Sequence, residues 1–371
     1  MISVFNATPA VLIFLSAIWQ HSALAANWPT QGGGSERLHQ SVDALPVKNI
    51  TQQWATKVGG KVFAGPVTDA GMIFVASNDR YLSALDAKKG TLLWRFEAAG
   101  PISAEPVLAD GLVVAATKGG EITALSALDG KRLWQTKVGG GVVSSPAIRE
   151  GKLYVGSTDQ FLHALDLRTG KELWRFRAKD YKYGGIYAPP AVDATRVYVG
   201  GKNGMLHAVQ RDNGQSVWQT ELGSSIYDAP ALADGKVYQG SYDRNVYAID
   251  AESGKILWRT ELDDWPQGTP APLGGQLFVC SRVGVLYALN AADGNVEWQI
   301  QLDGEMRHSP SIASNKIGVV ATLNGRLIGI DLERKRIAWE QKLTDGVFGG
   351  PAISDGNLLV VTQEGVVSAW R

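Results

Sequence analysis

Apolar and polar residues along this chain form short runs of alternating character that are separated by turn residues. Between Ser145 and Phe176, four such runs (PAIRE, KLYVGS, FLHALD and ELWRF) are joined by turns at Glu150-Gly151, Thr158–Gln160 and Arg168–Gly170. Runs of this length with a period of two predict β-strands, and tight turns between them predict antiparallel pairing. We therefore expect this segment to form one four-stranded antiparallel sheet.

The same unit recurs along the whole chain. A tryptophan in the fourth predicted strand returns at intervals of 40, 40, 40, 44, 40, 40 and 41 residues, and a proline before the first strand keeps nearly the same spacing. We call the first set the ladder tryptophans: Trp54, Trp94, Trp134, Trp174, Trp218, Trp258, Trp298 and Trp339. We call the second set the ladder prolines: Pro66, Pro106, Pro146, Pro190, Pro230, Pro270, Pro310 and Pro351. Four-stranded repeats of about 40 residues are typical of β-propeller blades.

The two ends of the repeat region complement each other. Trp54 lies in a fourth strand without the three strands that precede it elsewhere, whereas Gly350 to Trp370 supply three strands without a fourth. Pairing these termini would remove two exposed sheet edges. The sequence thus predicts an all-β, eight-bladed β-propeller over residues 52–371, closed by its N- and C-terminal strands, with the tryptophans between adjacent blades. Residues 26–51 are expected to form an extended leader outside the ring.

The N-terminus has the features of a secretory signal. An apolar stretch from Ala10 to Trp19 is too short to span a bilayer, and Ala23-Leu24-Ala25 supplies a small-x-small cleavage pattern. No Lys or Arg precedes Arg37, so a short buried apolar segment is the alternative interpretation. We expect residues 1–25 to be a cleaved signal peptide. The mature chain is then predicted to be soluble and periplasmic or secreted, with no transmembrane segment.

Composition limits the remaining functions. The chain has 36 Lys and Arg against 36 Asp and Glu, so it lacks the basic excess expected of a nucleic-acid-binding protein. Its one cysteine, Cys280, cannot form an internal disulfide. Cys280 lies ten residues after the ladder proline Pro270, and the equivalent positions of other blades carry small residues such as Ala116 and Gly156. We therefore expect Cys280 to be a buried apolar residue.

The residues just before the ladder prolines break the symmetry of the repeat. These residues approach the central channel on one face, where loops of a rigid scaffold often carry function. They are small or apolar in blades one, three and eight, as in Phe63-Ala64-Gly65, Val143-Ser144-Ser145 and Phe348-Gly349-Gly350, and blade two differs only in Glu105. Blades four to seven carry larger polar and aromatic residues, and a four-residue insertion within Arg177 to Gly185 adds more. The predicted partner- or ligand-binding residues are Tyr181, Tyr183, Tyr187, Tyr227, Asp228, Trp265, Gln267, Arg307 and His308.

Candidate catalytic and metal-binding residues are sparse. Asp228 and His308 could form an acid–base pair, but they lie two blades apart of eight, so the spacing does not establish direct contact. For the binding residues as a group, the alternative is that the polar side chains at the channel mouth are only solvated or hydrogen-bonded to each other. The chain has no HExxH, paired CxxC, P-loop or GxSxG motif, and Gly32-Gly33-Gly34 lies in the leader without a strand or helix behind it. We predict neither a catalytic residue nor a metal site.

The pattern ALDxxTGKxLW, seen from Ala164 to Trp174, resembles the repeat of the quinoprotein-like, PQQ-repeat propeller superfamily. Within it, size and blade count are most similar to the BamB-type propellers of outer-membrane assembly. The resemblance implies a non-catalytic scaffold with an envelope or outer-membrane protein as partner, and we expect a monomer. The lipid-anchor cysteine typical of such proteins is absent, and the positions of their partner-gripping side chains carry Tyr181, Tyr183, Gly184, Ser225 and Tyr227.

Two other functions remain open. The channel mouth could bind a small molecule, such as a quinone or a sugar. A PQQ-dependent dehydrogenase is the third interpretation, but the enzymes that the repeat resembles have adjacent cysteines beside the quinone and calcium-binding acidic residues below it. This chain has one cysteine, so no cofactor is expected.

Overall fold

A computed structural model describes residues 27–178 and 185–371. The expected signal peptide, residues 1–25, lies outside these ranges, as do Tyr181 and Tyr183 of the insertion. No helix in the described ranges is long and apolar enough to cross a membrane.

Within the described residues, thirty-two strands form eight four-stranded sheets. Blade one contains β2 (Val67–Asp69), β3 (Met72–Ala76), β4 (Tyr81–Asp86) and β5 (Leu92–Glu97); blade two β6 (Val107–Ala109), β7 (Leu112–Ala116), β8 (Glu121–Ser126) and β9 (Arg132–Lys137); blade three β10 (Ala147–Arg149), β11 (Lys152–Gly156), β12 (Phe161–Asp166) and β13 (Glu172–Arg177); blade four β14 (Ala191–Val192), β15 (Arg196–Gly200), β16 (Met205–Gln210) and β17 (Ser216–Glu221). Blade five contains β18 (Ala231–Ala233), β19 (Lys236–Gly240), β20 (Asn245–Asp250) and β21 (Ile256–Glu261); blade six β22 (Pro266–Leu273), β23 (Gln276–Ser281), β24 (Val285–Asn290) and β25 (Val296–Gln301); blade seven β26 (Ser311–Ile312), β27 (Ile317–Ala321), β28 (Arg326–Asp331) and β29 (Arg336–Lys342); and blade eight β30 (Ala352–Ser354), β31 (Asn357–Val361), β32 (Val366–Trp370) and β1 (Gln52–Lys57).

In each blade the four strands are ordered from the channel to the periphery. The first strands of successive blades contact one another around the ring, and the fourth strand of each blade lies at its periphery. The second and third strands are almost wholly buried, whereas the fourth exposes most of its residues. The predicted eight-bladed, four-stranded propeller is therefore confirmed.

The termini close the ring as predicted. β1 pairs antiparallel with β32, with Trp54 opposite Ala369. Thr51 and Arg371 exchange main-chain hydrogen bonds of 2.8 and 2.9 Å just beyond this pair. The N-terminal strand is therefore the outermost strand of blade eight.

The ladder tryptophans join adjacent blades with a hydrogen bond as well as apolar contact. The Trp94 indole packs on the positive-φ Gly130 of the next blade, and its Nε1 donates to the Ala127 carbonyl at 3.0 Å. Glycine is needed there because an added Cβ would lie 2.7 Å from the indole. The same bond to the next blade is made by Trp54, Trp134, Trp174, Trp218 and Trp258.

Two tryptophans depart from this arrangement. Trp298 faces a turn with Lys335 at the glycine position, and its buried Nε1 has no hydrogen-bond partner among the described residues. Trp339 faces the gap at the chain termini, and its Nε1 donates to the Pro46 carbonyl of the leader at 3.1 Å. The leader therefore substitutes for a blade turn at the closure.

Only part of the leader lies outside the ring as expected: Pro46 and Ile50 lie at the outermost strand of blade seven, but the preceding segment does not. Leader residues 28–43, which we call the plug, lie against the inner edges of the first strands across one end of the channel. Main-chain amides of five blades, each two residues after a ladder proline, donate to plug carbonyls: Thr68, Leu108, Val192, Leu232 and Ile312. Inner edges of a propeller carry unpaired amides, and the plug satisfies them.

Side chains of the plug reach the remaining three blades. Arg37 donates to the Pro146 carbonyl of blade three at 2.8 Å, and Ser41 Oγ donates to the Ile353 carbonyl of blade eight at 3.2 Å. In blade six the equivalent position is Pro272, which has no N–H, and Gln40 donates to its carbonyl instead. One short segment thus contacts every blade.

Cys280 is buried in the apolar cluster between blades six and seven, as predicted. Burial raises the pKa of its thiol, which therefore stays protonated and unreactive.

Candidate functional site

The central channel is lined by one equivalent residue from each blade. The third residue before every ladder proline faces a shared cavity of about 420 Å³. These residues are Phe63, Ser103, Val143, Tyr187, Tyr227, Gln267, Arg307 and Phe348. Because the main chain repeats around the ring, the side chains alone make one half of the cavity apolar and the other half polar and aromatic.

The plug makes the cavity blind. Gln31 of the plug lines it from below, together with Glu105 and His308 from blades two and seven. Beneath these residues lie the fully buried Arg37 and the buried His39. A ligand can therefore enter only from the face on which the residues before the ladder prolines lie.

Four aromatic rings form a continuous row along the mouth over blades four to six. The Tyr187 and Tyr227 centroids lie 6.0 Å apart, Tyr227 and Tyr242 4.7 Å, and Tyr242 stacks on Trp265 at 4.8 Å with an interplanar angle of 12°. The Arg282 guanidinium caps the row, 4.6 Å from the Trp265 centroid. All five side chains are partly buried, so packing restricts them while leaving them accessible.

Tyr242 was missed by the sequence interpretation. It begins the turn between the second and third strands of blade five, where the other blades have Asn78, Lys118, Thr158, Lys202, Arg282, Leu323 and Gln363. That it is the one aromatic residue at this position was the available signal.

Two carboxyl groups lie in the cavity with raised pKa values. Burial raises the pKa of Glu105 to about 7, against a hydrogen bond from the Gly65 amide and the positive charge of Arg37. Burial also raises the pKa of Asp228 to about 7, against a hydrogen bond from the Gly268 amide and the charge of Arg307. Both groups therefore carry only part of a negative charge near neutral pH.

Both ring nitrogens of His308 lie beside main-chain carbonyls. Its Nδ1 lies 2.8 Å from the Ser309 carbonyl and its Nε2 2.9 Å from the Ala321 carbonyl, within the main chain around the ring. Burial lowers its pKa. No Asp228–His308 hydrogen bond occurs among the described residues, so the geometry does not support an acid–base pair there.

The predicted site residues are largely brought together. Tyr187, Tyr227, Asp228, Gln267, Arg307 and His308 line the cavity, and Trp265 reaches it through Tyr242. The apolar residues Phe63, Val143 and Phe348, which the sequence interpretation set aside, line the same cavity. In residues 27–178 and 185–371, no group of three or more His, Cys, Asp or Glu side chains is placed to hold a metal ion. The binding role of these residues remains a prediction.

Together, these features define an eight-bladed PQQ-repeat β-propeller whose channel is plugged at one end. The family model described as "Outer membrane protein assembly factor BamB" matches overlapping segments: 39–177, 98–227, 158–264, 202–315, 242–334 and 307–370. These matches span almost the whole propeller, and the chain belongs to this family. A search of curated protein sequences found no significant match.

Solved structures show the same fold. BamB from Moraxella catarrhalis is 20% identical with a TM-score of 0.75, covering 87% of this chain and 100% of that one. The quinohemoprotein alcohol dehydrogenase ADHIIG from Pseudomonas putida HK5 is 16% identical with a TM-score of 0.80, covering 93% and 80%. A europium-containing methanol dehydrogenase is 14% identical with a TM-score of 0.76, covering 90% and 89%. At these identities the similarity concerns the fold.

Proposed function

We propose that this protein is a non-catalytic periplasmic scaffold that binds a protein partner in outer-membrane protein assembly. The observation that carries the proposal is the aromatic row on one side of the channel mouth, in a chain of the BamB family. We expect the scaffold itself to be monomeric.

The composition of the row suits a protein interface. Tyr, Trp and Arg are enriched among interface residues that contribute most of the binding energy. In this row each ring packs on the next, and Arg282 is held by Asp264 at 3.2 Å, so little side-chain entropy remains to be lost. Blade stacking does not require these residues, because other blades build the same turns with other residue types, such as Ser103 and Val143 at the Tyr187 position and Thr158 at the Tyr242 position.

The proposal is tested by co-purifying the tagged protein with the β-barrel assembly subunit of its own host. Trp265→Ala and Arg282→Ala should reduce recovery of that subunit at least tenfold, as expected for residues worth more than about 1.4 kcal/mol of binding. Leu128→Ala is the matched control, since Leu128 is 79% exposed in a turn on the opposite face. Full recovery of the subunit with both Trp265→Ala and Arg282→Ala, or an equal loss with the control variant, would contradict the proposed interface.

Periplasmic location is tested separately by N-terminal sequencing of protein from the native host. We expect Ala26 as the first residue, because the Ala23-Leu24-Ala25 pattern directs cleavage after Ala25. An N-terminal Met1 in the envelope fraction would contradict it.

The alternative of a quinone-dependent dehydrogenase fits this chain poorly. The one cysteine is buried between blades and does not line the cavity, so paired cysteines cannot lie beside a quinone. The described residues also lack the acidic cluster that would bind calcium below it. An assay with added quinone, calcium and an electron-acceptor dye should therefore show no alcohol- or sugar-dependent reduction.

A further inference from the structure

The blind channel has the size of a small-molecule site. Its volume of about 420 Å³ lies within the range of about 300–1,000 Å³ that is usual for such sites. Because the plug closes one end, a bound molecule would be enclosed by all eight blades. Tyr187, Tyr227 and Tyr242 of the aromatic row also line this interior, whereas Trp265 and Arg282 lie outside its lining.

Several buried polar atoms of the cavity wall have no hydrogen-bond partner among the described residues. They are Gln31 Oε1, Ser103 Oγ, Ser144 Oγ, Gln267 Nε2 and Arg307 Nε. Gln267 and Ser144 are both only 3% exposed. Burying such groups unpaired is costly, so their collection around one cavity indicates that bound molecules, either water or a ligand, complete them. Four of the five can donate a hydrogen bond.

The charges around the cavity favour an anion. Arg37 beneath the floor is bonded to main-chain carbonyls and the Thr30 hydroxyl, and no carboxylate among the described residues lies within ion-pair distance of it. Burial lowers its pKa to about 10, so it remains charged. The acidic groups that could offset it, Glu105 and Asp228, are partly protonated near neutral pH. Arg307 pairs with Glu305 through Nη2, which leaves its Nε as the unpaired donor. Lys118 adds a further positive charge to the lining.

The wall formed by blades eight, one and three is largely apolar, with Ser103 and Ser144 beside it. Phe63 and Phe348 meet edge to face with centroids 5.3 Å apart, and Val143 continues this wall in blade three. A ligand that fills the cavity must therefore combine a hydrogen-bond-accepting charged group with an apolar body. A neutral sugar would leave the donors and positive charge without a matching anion and the two rings without an apolar partner.

We propose that the plugged channel binds a small organic carboxylate, with its charged group toward Gln267 and Arg307 of blades six and seven and its apolar body against Phe63 and Phe348. This site goes beyond the scaffold function, since it uses Gln267 and Arg307 inside the channel rather than Trp265 and Arg282 at the channel mouth.

The experiment is isothermal titration calorimetry with phenylacetate as the probe. Phenylacetamide, which has the same shape without the charge, and glucose are the comparison ligands. We expect saturable one-to-one binding of phenylacetate to the wild type and binding of the amide and of glucose that is at least tenfold weaker. Gln267→Leu and Arg307→Met should each weaken phenylacetate binding at least tenfold.

Arg244→Ala is the control, because Arg244 is exposed on the same face and pairs with Glu261 away from the cavity. It should bind phenylacetate as the wild type does. Thermal unfolding of each variant shows whether it is folded, and the partly exposed Arg307 position tests the site if Gln267→Leu is unstable. Equal binding of acid and amide, tighter binding of glucose, undiminished binding by both variants, or no saturable binding by folded wild type would each overturn the carboxylate site. None of these results bears on the co-purification of a protein partner, which is tested with Trp265→Ala and Arg282→Ala.

Discussion

The Arg37 guanidinium donates two hydrogen bonds to the main-chain carbonyl of Pro190, from Nε at 3.2 Å and from Nη2 at 3.1 Å, across 153 residues of sequence. It also donates to the Ser145, Pro146 and Gln31 carbonyls. Because Arg37 is fully buried, every one of these bonds replaces a bond to water. Arg37 therefore fixes the plug to blades three and four.

Replacing Arg37 should destabilise the whole propeller. Arg37→Met keeps the apolar stem but leaves several buried carbonyls without a donor, and we expect a loss of about 3–5 kcal/mol in unfolding free energy. Urea unfolding followed by tryptophan fluorescence measures it. Arg168→Ala is the control, because Arg168 is 79% exposed and should change stability by less than about 0.5 kcal/mol. Equal stability of the two variants would show that the plug is not needed for ring stability.

The ring could be predicted from sequence because every blade repeats the same packing problem. Trp94 and five of its equivalents have a glycine turn opposite them, and these residues recur at a fixed period that is visible in one sequence. The plug has no such period. Its contacts are mostly between main-chain atoms, which any residue supplies, so nothing in the sequence of residues 28–43 indicated a position across the channel.

The site could be predicted in part for the same reason. Tyr227 and Arg307 stand out because the equivalent positions in blades one, two, three and eight are small or apolar. Phe63 and Phe348 did not stand out, since an apolar residue there is also what a structural role would require. Their edge-to-face contact across the ring closure depends on the termini meeting, which is a three-dimensional property.

Blade stacking predicts a difference between two glycines of blade two. Gly130 and Gly111 have nearly equal positive φ values, +70° and +75°, but an added Cβ meets the Trp94 indole only at Gly130. Gly130→Ala should therefore cost about 1–3 kcal/mol more than Gly111→Ala, because the backbone strain is common to both. The comparison needs only the unfolding free energies of the two variants. Similar losses would mean that contact with the indole is unimportant.

Glu105 predicts that stability depends on pH. Its pKa is raised to about 7 in the folded protein from an ordinary value of about 4.5, so the folded state holds its proton more tightly. The contribution of this proton to the free energy of unfolding is fully present below about pH 4.5, and it is lost as the pH rises through about 7. Asp228, whose pKa is also raised, acts in the same direction.

Glu105→Gln removes the titration while keeping an acceptor for the Gly65 amide. The variant should have nearly wild-type stability at pH 5 and exceed the wild type by about 2–3 kcal/mol at pH 8. Chemical denaturation at several pH values measures the difference. A difference that does not change between pH 5 and 8 would show that Glu105 titrates normally.

Trp94 and Trp298 provide a matched test of the indole hydrogen bond between blades. Each ring lies 5.8 Å from a phenylalanine, Phe74 or Phe278, at interplanar angles of 53° and 54°, and both are partly buried. Only Trp94 Nε1 has a partner, the Ala127 carbonyl, whereas Trp298 Nε1 is buried without one.

Trp94→Phe loses this bond and leaves the carbonyl unpaired, but Trp298→Phe removes a donor that is already unsatisfied. Trp94→Phe should therefore destabilise the protein by about 1–3 kcal/mol more than Trp298→Phe. Unfolding free energies from denaturant titration, with circular dichroism as the probe, avoid the change in tryptophan fluorescence. If the two substitutions cost the same, apolar contact alone holds adjacent blades together, and the spacing of the ladder reflects the size of the indole rather than its N–H group.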